Sequence, residues 1–117
     1  MASSDARAQS FLPLTPAVFH LLLALADGPL HGYAIAKAVA EHTSESIRLG
    51  PGTLYGTLTR MSESGLVREL TGPARDDDRR RNYELTPLGR AAAKAEARRL
   101  AELVSVARGK SLLGRAK

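Results

Sequence analysis

The sequence predicts a mainly α domain with a single two-stranded β ribbon and a long helix at its C-terminal end. Three observations carry this. Apolar residues recur at helical spacing in three successive stretches, two Thr-Pro pairs mark helix starts at residues 15–16 and 86–87, and a short alternating apolar/polar segment precedes the second pair. With 117 residues and 12.5 kDa the chain suits one domain.

The first ten residues, MASSDARAQS, are small and polar without periodicity, and residues 1–10 are expected to form a flexible arm. Beyond them Thr15 supplies an N-cap, Pro16 the first helical position, and Val18, Leu21, Leu22 and Leu25 an apolar stripe, giving a helix to about Asp27. Arg7, the apolar run from Phe11 to Ala26 and Ala24-Leu25-Ala26 together mimic a signal peptide. Asp5 cancels Arg7, and Pro13, Pro16 and His20 interrupt the run, so a buried helix is the expected reading. Gly28-Pro29 stops it.

Ile35, Ala38, Val39 and His42 repeat the spacing in a second helix from about His31 to Thr43, with Lys37 and Glu41 on its solvated side. Gly50-Pro51-Gly52 opens a third, whose core residues are Leu54, Leu58 and Met61 and whose end is Gly65. Residues 66–70 and 81–85 read as extended segments, Tyr83 and Leu85 alternating with Asn82 and Glu84, joined by a long polar hairpin loop. Thr86-Pro87 then begins an Ala-rich helix to about Arg108, roughly 33 Å long at the standard rise. Three helices, a ribbon and a long helix make a winged helix-turn-helix, with residues 11–86 as its body and residues 87–117 as a C-terminal dimerisation helix and tail.

Composition bounds the chemistry. No cysteine is present, which excludes disulfides, thiolate metal sites and a Cys nucleophile and suits the cytoplasm. His20, His31 and His42 lack companion carboxylates for a metal site. Neither a nucleophile elbow, a phosphate loop nor a metal-binding histidine motif occurs, so the expectation is no enzyme, no cofactor and no metal. The net charge is +5, but residues 1–65 carry −1 and residues 66–117 carry +6, so an anion would be drawn mostly to the second half.

In a helix-turn-helix the second helix of the pair enters the major groove, so its outward residues must be small or hydrogen-bonding. Residues Thr53, Tyr55, Gly56, Thr57, Thr59 and Arg60 meet that requirement, and no acidic residue precedes Glu63 on the helix. Arg79, Arg80 and Arg81 on the returning strand suit the phosphate backbone, while Asp76, Asp77 and Asp78 would repel it at the loop tip. Tyr33 stands where the first helix of the pair would cross a phosphate. Ala93, Ala97, Leu100, Leu103, Val104 and Ala107 form a heptad-like seam for a second copy of the chain, whereas Arg90, Lys94 and Arg98 read as a solvated stripe. The competing class is a winged-helix module that binds protein or structured RNA without operator specificity.

Several pieces in order resemble PadR-type transcriptional regulators: Pro29-Leu30-His31-Gly32-Tyr33-Ala34-Ile35, Gly52-Thr53-Leu54-Tyr55-Gly56-Thr57-Leu58, Arg60-Met61, Gly65-Leu66-Val67 and Arg81-Asn82-Tyr83-Glu84-Leu85-Thr86-Pro87-Leu88-Gly89. The resemblance covers roughly residues 14–108. It implies a homodimeric repressor, dimerised through its C-terminal helix as in the short subgroup, with DNA contacts at Tyr33, Thr53, Tyr55, Thr57, Arg60, Arg80 and Arg81. Asn82 stands where the family commonly has an aromatic, and the chain has no Trp of the kind that members binding flat aromatic drugs use. Double-stranded DNA and a second copy are therefore the expected partners, without a membrane, and there is room for a small-molecule effector of unknown identity.

Overall fold

A computed structural model describes residues 4–70 and 81–114. In chain order the elements are α1 (Ser4–Gln9), α2 (Pro16–Ala24), β1 (Leu30–His31), α3 (Gly32–His42), α4 (Pro51–Glu63), β2 (Val67–Leu70), β3 (Asn82–Leu85) and α5 (Pro87–Gly109). The arrangement is the expected winged helix-turn-helix with a long last helix, and three of its elements differ from the sequence expectation.

The first is the N-terminal arm. Residues 4–9 are helical, not flexible: α1 packs along α5, with Ala8 only 1% exposed in the common core. A helix of six residues is not stable alone, so this one depends on docking. The second is the sheet, which has three strands in the order β1-β3-β2. Leu30 and His31 pair antiparallel with Tyr83 and Asn82. The third is α2, which ends at Ala24, short of Asp27.

Local chemistry explains the helix starts. Thr15 Oγ1 accepts from the Val18 N–H at 3.3 Å ahead of Pro16, and Thr86 Oγ1 accepts from the Gly89 N–H at 2.9 Å ahead of Pro87. His31 caps α3 with an unusual acceptor, its ring Nδ1 accepting from the Ala34 N–H at 3.3 Å. The core these helices share is aliphatic: Leu21, Leu22, Ile35, Val39 and Leu58 are fully covered, with Leu54 and Met61 from α4 beside them. His42, read as part of that stripe, is exposed.

Helix α5 is joined to the wing without slack. Thr86, the one residue between β3 and α5, donates its hydroxyl to the Gly65 carbonyl and its amide to the Leu66 carbonyl at 3.1 Å. Gly89 lies so close that a Cβ there would stand 2.9 Å from the Leu66 carbonyl carbon. From this anchor α5 runs for 23 residues, about 34 Å, and leaves the core behind. The radius of gyration, 16.0 Å, exceeds the ~13 Å of a compact domain of this length for that reason.

Candidate nucleic-acid interface

Helix α4 buries Leu54, Leu58 and Met61, which turns Thr53, Tyr55, Thr59 and Arg60 to solvent and leaves Gly56 half-exposed. Thr57 does not join them. It is 3% exposed, on the same face as Leu54 (i−3) and Met61 (i+4), and its role is to accept from Arg60 Nη2 at 3.3 Å. The expectation that Thr57 faces outward is thus corrected, and the apolar spacing itself held the signal. Thr59 is exposed, but its hydroxyl proton is engaged, donating to the Tyr55 carbonyl at 2.9 Å. Arg60 therefore carries the guanidinium of this face, steadied by a buried hydroxyl.

Tyr55 is 41% exposed, and its hydroxyl end is docked against Gly32 at the start of α3, which fixes the ring. Tyr33 is 75% exposed and stacks on His31, ring centroids 6.3 Å apart and planes 13° from parallel, beside the N-terminus of α3. Its hydroxyl projects into solvent where that helix end favours an anion.

On the wing the register pairs Val67 with Leu85, Arg68 with Glu84, Glu69 with Tyr83 and Leu70 with Asn82. Arg81 is described and exposed, with its Nε 3.4 Å from Glu69 Oε2. Arg79, Arg80 and Asp76 to Asp78 lie outside the described residues. Tyr83 is buried, and that burial, with Glu69 and Tyr55 adding to it and Arg81 opposing, holds its hydroxyl protonated beyond the usual tyrosine range. It packs as a neutral group beneath the wing.

The seam residues on α5 divide. Ala93 is half-buried against its own core, and Leu100 and Ala107 are half-exposed. Ala97 is exposed, as are Leu103 at 53% and Val104 at 43%; Val106, Leu112 and Leu113 add further uncovered apolar surface. An ion pair with a buried carboxylate on this helix is absent from the sequence expectations. Glu96 is 2% exposed and bonded twice to Arg99, Nε to Oε1 at 2.7 Å and Nη2 to Oε2 at 2.8 Å. Arg99 holds the Glu96 carboxyl below the usual glutamate range, against the opposing effect of burial, and the Leu14 amide adds to the lowering. The sign that could have exposed Glu96 is its position, four residues from both Ala92 and Leu100 on the covered face.

Residues 21–95 match the model of the transcriptional regulator PadR-like family. The chain belongs to that family. A PadR-like chain is a transcriptional regulator and not an enzyme. Among curated relatives, the transcriptional regulator Rv3488 of Mycobacterium tuberculosis is 39% identical over 88 residues, which cover 72% of this chain and 75% of that protein. An uncharacterized 37.1 kDa protein in transposon TN4556 of Streptomyces fradiae is 47% identical over 83 residues, 71% of this chain but only 22% of that longer protein. Among solved structures, Bacillus subtilis PadR in complex with operator DNA superposes with a TM-score of 0.61 at 20% identity, covering 71% of this chain and 46% of that one. The PadR-like match runs from the last turn of α2 through the first part of α5, a stretch that includes α3, α4, β2 and β3. No helix among the described residues is long and apolar enough to cross a membrane, and no group of His, Asp and Glu among them is placed to hold a metal ion.

Proposed function

We propose that this PadR-like chain is a sequence-specific, DNA-binding repressor that acts in the cytoplasm as a homodimer on a near-palindromic operator. The observation that carries the reading is the outer face of α4, where Thr53, Tyr55, Gly56 and Arg60 offer hydroxyls, a guanidinium and little bulk. Such a face lets the helix backbone approach base edges, and a steadied Arg60 suits the paired acceptors of guanine. Tyr33 and the wing arginines, Arg79, Arg80 and Arg81, supply phosphate contacts, which set affinity and register rather than sequence. Residues 11–86 form the reading unit. The operator-bound relative from Bacillus subtilis supports the mode at the level of the fold.

Residues 87–117 supply the dimer. The face of α5 that is covered in its first half continues into Leu100 and Ala107, half-exposed in the single chain, and Leu103 and Val104, exposed in it, and a second copy laid along it would bury them. Two α4 helices would then enter successive major grooves about 34 Å apart. Repression follows from occlusion of the promoter, and an effector, where one acts, would work by changing how the two copies meet.

Fluorescence anisotropy against the duplex upstream of the chain's own gene and a scrambled duplex, at low and moderate salt, tests the reading. Preference of about 10³ or more for one natural duplex, with a salt slope of several phosphates, is expected. Equal binding of every duplex in a selection from genomic fragments would sink operator specificity and favour a non-specific module.

A further inference from the structure

Between α4 and the wing runs an open groove of 680 Å³, lined by Tyr55, Thr59 and Glu63 on one side and Glu69, Arg81 and Tyr83 on the other. In the proposed complex this is the side along which a DNA strand passes from the major groove to the wing, yet it carries two carboxylates against one guanidinium. Strand alternation puts Glu69, Tyr83 and Arg81 on the face that Val67 and Leu85 use for the core, at its outer edge. Glu69 lies opposite Tyr83, so Arg81 is its diagonal neighbour, and the two meet Oε2 to Nε at 3.4 Å.

We infer that Glu69 is an internal stand-in for a DNA phosphate: it occupies Arg81 in the unbound chain, and Arg81 exchanges it for a backbone phosphate on binding. The inference rests on the DNA reading above and assigns Glu69 a role within it. A carboxylate and a phosphate take the same donors of a guanidinium. The pair is exchangeable because both side chains reach solvent, Arg81 at 64% and Glu69 at 37% exposure, where an ion pair is weak. Glu63 in the same groove adds repulsion. The consequence is a uniform tax on all duplexes, which holds down the hold of a basic half-chain on non-specific DNA without touching base discrimination.

The test is anisotropy of the full chain, as wild type, Glu69→Gln, Glu69→Asp, Arg81→Ala and the Glu69→Gln/Arg81→Ala double variant, on a scrambled duplex and a selected fragment across a salt series. Glu69→Gln should bind both duplexes up to roughly fivefold tighter, with a log-log salt slope close to wild type, because Arg81 meets the same phosphate in both complexes. Glu69→Asp should stay near wild type, and the double variant should match Arg81→Ala alone. Thermal melting of each variant keeps misfolding apart from altered binding. An equal gain from Glu69→Gln in the Arg81→Ala background would reduce Glu69 to general repulsion and overturn the exchange, as would no gain at all. A wild-type chain that binds no duplex at any salt would instead overturn the DNA reading itself, and the inference with it.

Discussion

Tyr55 on α4 closes over Gly32, the first residue of α3, so tightly that a methyl group at Gly32 would stand 2.7 Å from the ring Cζ. The contact sets how the two helices of the helix-turn-helix meet. Gly32→Ala should therefore cost about 1–3 kcal/mol by overpacking, measured by thermal or denaturant unfolding. The same change in a Tyr55→Ala background should be near neutral, because the atoms in its way are gone.

Gly56 is the opposite case. A Cβ there would meet only Arg60 Nη1, at 3.7 Å, an ordinary contact. Nothing in the chain itself requires glycine, and glycine inside a helix is unfavourable by roughly 0.5–1 kcal/mol relative to alanine. Gly56→Ala should raise the melting temperature and weaken binding to the preferred duplex. Unchanged affinity would remove Gly56 from the interface.

Arg60 and Arg81 should fail differently. Arg60→Ala is expected to lose about 1–3 kcal/mol of discrimination at one base pair per half-site, while Arg81→Ala should weaken all duplexes alike and flatten the salt slope by roughly 1. Binding selections over a randomised site separate the two. A uniform loss from both variants would mean that Arg60 touches phosphate.

The outer half of α5 offers a direct test of assembly. Leu103→Lys with Val104→Lys places charge on the uncovered face and should convert a dimer to a monomer by analytical ultracentrifugation, with the helical circular dichroism of the core retained. Operator affinity should fall by orders of magnitude, since each half-site would be bound alone.

Acid should loosen the packing of α5 through Glu96. Its carboxyl titrates below the usual glutamate range in the folded chain, so its contribution is complete above the unfolded value near 4.3 and is lost as pH falls through the lower folded value. Glu96→Gln should flatten the dependence of melting temperature on pH below about 4.5 relative to wild type. Arg99→Ala should destabilise more than Glu96→Gln at neutral pH, because it leaves a covered carboxylate without its partner.

The parts of this fold that could be read from sequence are those whose causes are local. Thr15-Pro16 and Thr86-Pro87 announce α2 and α5 because cap and first turn are made within four residues, and Leu54, Leu58 and Met61 announce α4 by their spacing. What went unread depends on distant partners. Helix α1 exists because α5 receives Ala8, and β1 is two residues long, too short to alternate, and is defined only by β3. Thr57 departs from the expectation for another reason. Its hydroxyl suggested a groove contact, whereas its phase on the helix, shared with Leu54 and Met61, decided its burial.

The single residue between β3 and α5 makes the last helix a lever with a stiff fulcrum. Thr86 is bonded to Gly65 and Leu66, and Gly89 rests against the Leu66 carbonyl, so helix, wing and the end of α4 share one joint. A rotation of α5 by a few degrees about that joint displaces its far end, ~34 Å away, by a few ångströms. Run in reverse, whatever grips the far end steers the wing with a favourable gear ratio: a coarse shift at Leu103 and Val104 becomes a fine adjustment at Arg81.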